Sequence, residues 1–271
     1  MTITIISFLL GLLLIAVPLY LLHALQVPLF GKVLTAFGRA AAMLLALGAC
    51  LWLVFHFNHW AVSLLAVLLM VGVGMLLVVR KARLGHRMLV PIGAGLFVAL
   101  FVVGAWLLLL ALGVRRPLEA QYLLPIAGLL VGSMTETLAR ALSVYYRSLI
   151  HHDQLYYYVI GNGASREEAL SWYVRRSLEA VVLPHLKSMS TIVVVSSPLV
   201  VWALLLGGSS VAEAIAVQFL VLVAGFTASV VALVVALFVA RRYSFDGYGR
   251  LKQPQSPTPT LPKGEGDQNR E

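Results

Sequence analysis

Charge is scarce in this chain. Asp, Glu, Lys and Arg together make up 11% of its 271 residues, against roughly 25% in a soluble domain. That deficit excludes an ordinary water-exposed globule and points to the bilayer. Cysteine is nearly absent as well. The single Cys50 lies inside an apolar run, so no disulfide can form within the chain and no thiolate metal cluster can be assembled. No Gly-x-x-x-x-Gly-Lys-Ser/Thr phosphate loop occurs, and therefore the chain is not itself an ATPase. Neither a His-Glu-x-x-His helix nor a Ser/His/Asp arrangement marks it as an enzyme. No Lys or Arg precedes the first apolar run, which separates that run from a secretory signal peptide.

What is present is apolar: 61% of the residues are hydrophobic. An all-α polytopic membrane protein of about seven spans is expected, since each needs about 20 apolar residues. The runs lie near 4–25, 34–55, 60–79, 88–113, 122–145, 187–207 and 212–240. They form a permease-like transmembrane domain over 1–250. The tail 251–271 is rich in Pro, Ser, Gly and charge and is expected to be disordered. The net charge of +9 could point to nucleic acid, but the basic residues stand at the ends of the apolar runs. That placement speaks for topology, with membrane lipid rather than nucleic acid as the surroundings. With the N-terminus outside and the C-terminus in the cytoplasm, only Arg115 and Arg116 of the 20 basic residues fall outside, as the positive-inside rule requires. A cell (inner) membrane location follows.

One stretch does not read as a span. Between the fifth and sixth runs, at about 146–186, "VIGNGASREEALSWYVRRSLEAVVLPHL" mixes turn, cap and charge. The fifth run is expected to continue as helix through "RSLIHHDQLYYYVI", and Asn162-Gly163 to stop it. Ser165 with Glu168 three places on spells a capping box. The helix it starts carries an apolar stripe of Leu170, Val174, Leu178 and Val181. Leu183-Pro184 is expected to end that helix before the next span. Such a unit either lies on lipid headgroups or acts as a coupling helix that transmits the motion of a cytoplasmic ATPase. In the second case Arg166 and Glu167 would lie at the rim of the contact, and Leu170 with Trp172 or Tyr173 would fill the ATPase's groove.

These residues resemble a known family. "LPIAGLLVGSM" at 124–134, "GNGASREEALSWYVRRSLEAVVLPHLKSMSTI" at 161–192 and "AEAIAVQFLVL" at 212–222 look like the iron-export ABC transporter permeases, a family that includes the plant aluminium-sensitivity transporter subunit. Pro125–Gly128, Arg176-Ser177 and Pro184 match elements of its pattern. Two departures stand out: Ser133 replaces an Asn after the fifth-span glycine, and the Gly-Met-Met run after Pro198 is missing. The resemblance implies a permease subunit exporting a metal ion or other small solute. ATP and Mg would be bound by a separate ABC ATPase subunit, with no cofactor on this chain, and two copies of the permease would form a homodimer. Gly163, Ala164, Ser165, Arg166, Glu167, Leu170, Trp172 and Tyr173 would form the ATPase-coupling element. A scaffold or receptor subunit without transport is the alternative.

A few further residues have the chemistry for a role. Glu136 and Arg140 lie four apart in the fifth run, where ionisable groups are costly and face a pathway or a partner. With Ser133 and Met134 they are the candidate lining of a translocation path, or Glu136 lies at a dimer seam. The alternative is an intrahelical pair that fixes the helix's rotation. His56, His59, His151 and His152 are weak metal-ligand candidates. The tyrosines at 156, 157 and 158 read as interface or docking surface.

Overall fold

The structure is a computed structural model that describes residues 13–25, 30–57, 59–191 and 198–244. Among the described residues, the regular elements are all helical. They are α1 (Ala16–Ala24), α2 (Phe30–Phe57), α3 (Trp60–Ala82), α4 (Leu89–Trp106), α5 (Ala120–His151), α6 (Asp153–Gly161), α7 (Arg166–Ser190), α8 (Leu199–Leu206) and α9 (Val211–Ser244). A 3-10 turn, His86–Met88, leads into α4, and a π turn, Leu107–Ala111, closes it. The chain divides into two compact units, Met1–Phe57 and Asn58–Glu271. The first contains α1 and α2.

Five helices among the described residues are long and apolar enough to cross a membrane: Gly31–Phe57, Trp60–Ala82, His86–Ala111, Ala120–His151 and Val211–Tyr243. They correspond to the second, third, fourth, fifth and seventh expected runs, and the chain is a multi-pass helical membrane protein. The first run lies partly outside the described residues, and the tail 251–271 lies wholly outside them.

The sixth run is built differently from expectation. Pro184 does not end a helix; α7 continues through it to Ser190. A proline inside a helix removes one backbone donor and crowds the preceding turn. Here tertiary contacts hold the helix together on the N-terminal side of the break. Ser177 is buried and donates its hydroxyl to the Ala141 carbonyl at 3.0 Å, and Val181 is fully buried one turn later. Residues 192–197 are outside the description, and α8 adds eight apolar residues beyond them.

The second unit is held by close helix approaches. α3 and α5 run parallel: Gly128 faces Met70, and Gly74 faces Val131 and Thr135. A Cβ at Gly74 would lie 2.9 Å from Thr135 Oγ1. The tightest approach joins α4 to α9. A Cβ at Gly95 would sit 2.5 Å from the Ala232 carbonyl oxygen and 3.0 Å from the Ala236 methyl. Along α9 the residue facing inward every four positions is alanine: Ala224, Ala228, Ala232, Ala236 and Ala240 are all buried. Without a hydrophobic drive between helices in lipid, small side chains of this kind allow the backbones to gain van der Waals contact. Larger core residues, among them Ile92, Leu96, Leu130, Leu138, Leu142 and Leu233, fill the remaining space.

Candidate coupling site

The elbow between α5 and α7 is assembled from local signals. α5 ends at His152, whose φ of −123° and ψ of 36° leave the helical region. α6 follows as a nine-residue helix and buries Tyr156. It ends on a left-handed residue, Gly163, at φ +85°. The Gly163 amide donates to Ile160 O at 3.0 Å and the Ala164 amide to Val159 O at 3.3 Å, so the last carbonyls of α6 are satisfied. The Asn162 side chain adds a bond to Tyr158 O at 2.9 Å. Asn162 itself stays at φ −84°, so glycine alone supplies the left-handed turn.

The capping box is formed as the sequence predicts. The Glu168 amide donates to Ser165 Oγ at 3.3 Å, and the Ser165 amide donates to Glu168 Oε2 at 2.9 Å. That backbone bond, then the Ser165 side chain, holds the Glu168 carboxyl below the usual carboxylate range.

Three long-range ties fix the elbow to the bundle. The Tyr173 hydroxyl donates to the His152 carbonyl at 2.6 Å, at the break between α5 and α6. Ser177 donates to Ala141 O, as above. Glu167 accepts from Arg241 at 2.7 Å, joining the start of α7 to the end of α9. Burial raises the pKa of Tyr173 and of Tyr156. The α7 residues buried most completely against the bundle are Leu170, Tyr173, Ser177 and Val181, while Val174 and Leu178 are half-buried beside them.

This arrangement corrects one expectation. Leu170 is 1% exposed and Tyr173 0%. Both are used up inside the chain's own core and cannot fill a groove on another protein. Glu167 stays largely exposed, its side chain 77% accessible, while its carboxylate accepts from Arg241. The exposed apolar and aromatic side chains of the elbow are Leu155, Tyr157 and Tyr158 on α6 and Trp172 on α7, with Tyr158 at 70%. Trp172 lies edge-on to His152, and the Arg176 guanidinium stands over it at 5.3 Å. Gly163 and Ser165 are also exposed, while Ala164 and Arg166 are half-buried. The periodicity of α7 announces a buried stripe but leaves open whether this chain or a partner covers it. Of the tyrosine run, Tyr157 and Tyr158 are exposed, whereas Tyr156 is buried against expectation.

The fifth-run candidates separate in space. Glu136 and Arg140 pair at 3.4 Å, with their side chains 66% and 49% exposed. Ser133 is half-buried, its Oγ 3.4 Å from Ser229 Oγ of α9. Met134 is fully buried in the core and lies off the exposed face that bears Glu136. His59 caps α3, its Nδ1 accepting from the Ala61 amide at 3.3 Å. Among the described residues no group of three or more His, Cys, Asp or Glu is placed to hold a metal ion.

Comparison with known proteins gives a consistent picture. A family model described as "Uncharacterised protein family (UPF0014)" matches residues 5–245. The chain is 27% identical to "UPF0014 membrane protein STAR2" of Oryza sativa subsp. japonica over 219 residues, 80% of this chain and 75% of the relative. It is 28% identical to "Protein ALUMINUM SENSITIVE 3" of Arabidopsis thaliana over 195 residues, 71% of this chain and 69% of the relative. It is 22% identical to the "Probable iron export permease protein FetB" of Escherichia coli (strain K12) over 251 residues, 90% of this chain and 93% of the relative. No solved structure matches.

Proposed function

Because the chain belongs to the UPF0014 family, we propose that it is the permease subunit of an ABC exporter that moves a metal ion across the cell membrane. A separate ATPase chain binds ATP and Mg, and the transporter contains two copies of each subunit. The observation that carries this reading is the elbow α6–α7. Both its helix ends are capped, and it is tied to α5 and α9 at three points. It presents Leu155, Tyr157, Tyr158 and Trp172 outward. Aromatic anchors of this kind dominate protein contacts. A unit so constrained passes a push on α6 to two spans at once. The elbow lies in the cytoplasm in this reading, where the ATPase meets it. The metal-ion cargo is supported by likeness to a relative whose name says iron export.

The test is reconstitution of the chain with its ATPase in liposomes, with ATP-driven movement measured across a panel of metal ions and organic solutes. ATP-dependent transport of one class of ion is expected. Tyr158→Asp is expected to weaken ATPase binding, read by co-purification, about thirtyfold or more while membrane insertion is unchanged, since truncating or charging a contact anchor costs about 2 kcal/mol or more. Full ATPase recovery with Tyr158→Asp and with Trp172→Ala would count against the elbow as the docking element.

A further inference from the structure

α5 is a membrane span, yet one of its faces carries an acid and a base that the described residues of its own unit leave uncovered. Leu129, Gly132, Glu136, Arg140 and Arg147 are all exposed. Their spacings of three, four, four and seven place them on a single line along the helix. The parallel contact with α3 fixes their depth. Thr135, adjacent to Glu136, touches Gly74. Counting along α3 at 1.5 Å per residue, that level is roughly 21 Å from Trp60 and roughly 12 Å from Ala82. Glu136 therefore sits well inside the apolar length of the bundle, and Arg140 one turn nearer the Arg80 end. Arg140 can snorkel from there, but the shorter Glu136 cannot reach an aqueous boundary. Exposing such a pair to lipid tails is costly, so this line needs a polar cover.

We propose that this line of α5 is the seam at which a second copy of the chain docks, with Glu136 of each copy facing Arg140 of the other. The proposal rests on the two-copy reading above and assigns its contact. The face is complementary to itself. Two copies inserted in the same direction and related by a two-fold axis along the membrane normal bring the same line of α5 together in parallel, which is the isologous contact such symmetry requires. Acid and base lie one helical turn apart, about 5.4 Å, a step that an arginine side chain spans. Each carboxylate then receives a guanidinium from its own helix and one from across the seam. Gly132, one turn from Glu136, has nothing within 4 Å of a Cβ built on it, so a facing backbone can come close there. A second copy sets its own Glu136 level with this one and its Arg140 one turn away, so it brings one base across the seam for each acid.

The test uses the full-length chain in native membranes with Cys50→Ser as background. Single cysteines are introduced as Leu129→Cys and Gly132→Cys on the line, and as Leu69→Cys on an outward face of α3. Oxidation is expected to give a cross-linked dimer from 129 and 132 and none from 69. Two charge variants, E136K and R140E, are then made without added cysteines and carry different tags. Each alone sets like charges against each other both within and between copies, and its self-association is expected to fall about tenfold or more. Co-expressed, they are complementary: the E136K chain presents two bases to the two acids of the R140E chain, and co-purification through the two tags is expected to recover. An intrahelical role alone predicts no such recovery, and its absence would overturn the cross-seam pairing. A particle whose mass is dimeric but that fails to cross-link at 129 and 132 would overturn the seam and leave the two-copy reading standing. A monomeric particle would remove both.

Discussion

Gly163 is the residue on which the geometry of the elbow turns. At φ +85° it has open space around the position of a Cβ, so a side chain there would be opposed by backbone strain and not by crowding. Gly163→Val forces a β-branched residue into the left-handed region, at a cost of about 1–2 kcal/mol. The expected result is normal membrane insertion with loss of protease resistance between Tyr158 and Arg166. The neighbouring cap gives a signed pH dependence. Its carboxylate, Glu168, is easier to ionise folded than unfolded, so its contribution is complete above the ordinary carboxylate pKa and is lost as pH falls through the depressed value. The protection factors of the Ser165 and Glu168 amides, which remove the intrinsic pH dependence of exchange, should be flat through neutral pH and fall only on strong acidification. The same acid dependence in Glu168→Gln would disprove the assignment. These residues were legible in advance because turn and cap chemistry is written within four positions of sequence. The burial of Leu170 and Tyr173 was not, because it depends on a helix distant in sequence.

At the scale of the element, the α4–α9 seam is the contact with the least room. The glycines of the spans look alike in sequence, and only the fold ranks them. Gly95 meets a backbone carbonyl, which cannot move aside, whereas Gly72 faces nothing within 4 Å. Gly95→Leu is therefore expected to lower the thermal stability of the detergent-solubilised protein, by about 1–3 kcal/mol for an overpacked site, and Gly72→Leu to leave it near the native value. Equal melting of the two variants would show that the seam does not bear on stability. The alanine column of α9 could have been read from its period of four, but alanine is so common in apolar runs that the repeat carried little signal. α7 illustrates the opposite case: its proline reads as a stop, yet the helix runs on to Ser190, held before the proline by Val181 of the apolar stripe and by Ser177, whose burial and bond to Ala141 O no local pattern reveals.

For the whole molecule, five of the seven expected passes are present as long apolar helices among the described residues, because hydropathy alone decides them. The sixth expected pass, 187–207, is not among them: residues 192–197 lie outside the description, and α8 has only eight residues. The proposed orientation puts His59 outside and Arg83 inside. With Cys50→Ser as background, His59→Cys should react with an impermeant thiol reagent in intact cells and Arg83→Cys only after permeabilisation; the reverse pattern would invert the topology. The Glu167–Arg241 pair links the start of α7 to the end of α9 across 74 positions of chain. Glu167→Gln is expected to leave ATPase binding intact and to lower transport per ATP hydrolysed, because the push still arrives but one of its outlets is gone. Unchanged stoichiometry would show that the pair only stabilises the fold.

Pro184 has a mechanical corollary. A uniform helix bends evenly under load, whereas a rod with one notch bends at the notch. The ring nitrogen of Pro184 cannot donate to the carbonyl four residues back, and the imidazole of His185 contacts the next carbonyl, Val181 O, through Nδ1 at 3.0 Å. Compliance in α7 is thus concentrated about three-quarters of the way along it. The stretch before that point is anchored to α5 through Ser177, and just beyond it His185 packs against Phe226 of α9 at 5.6 Å. Load on the elbow is expected to bend α7 first at this point, and Pro184→Ala to stiffen it.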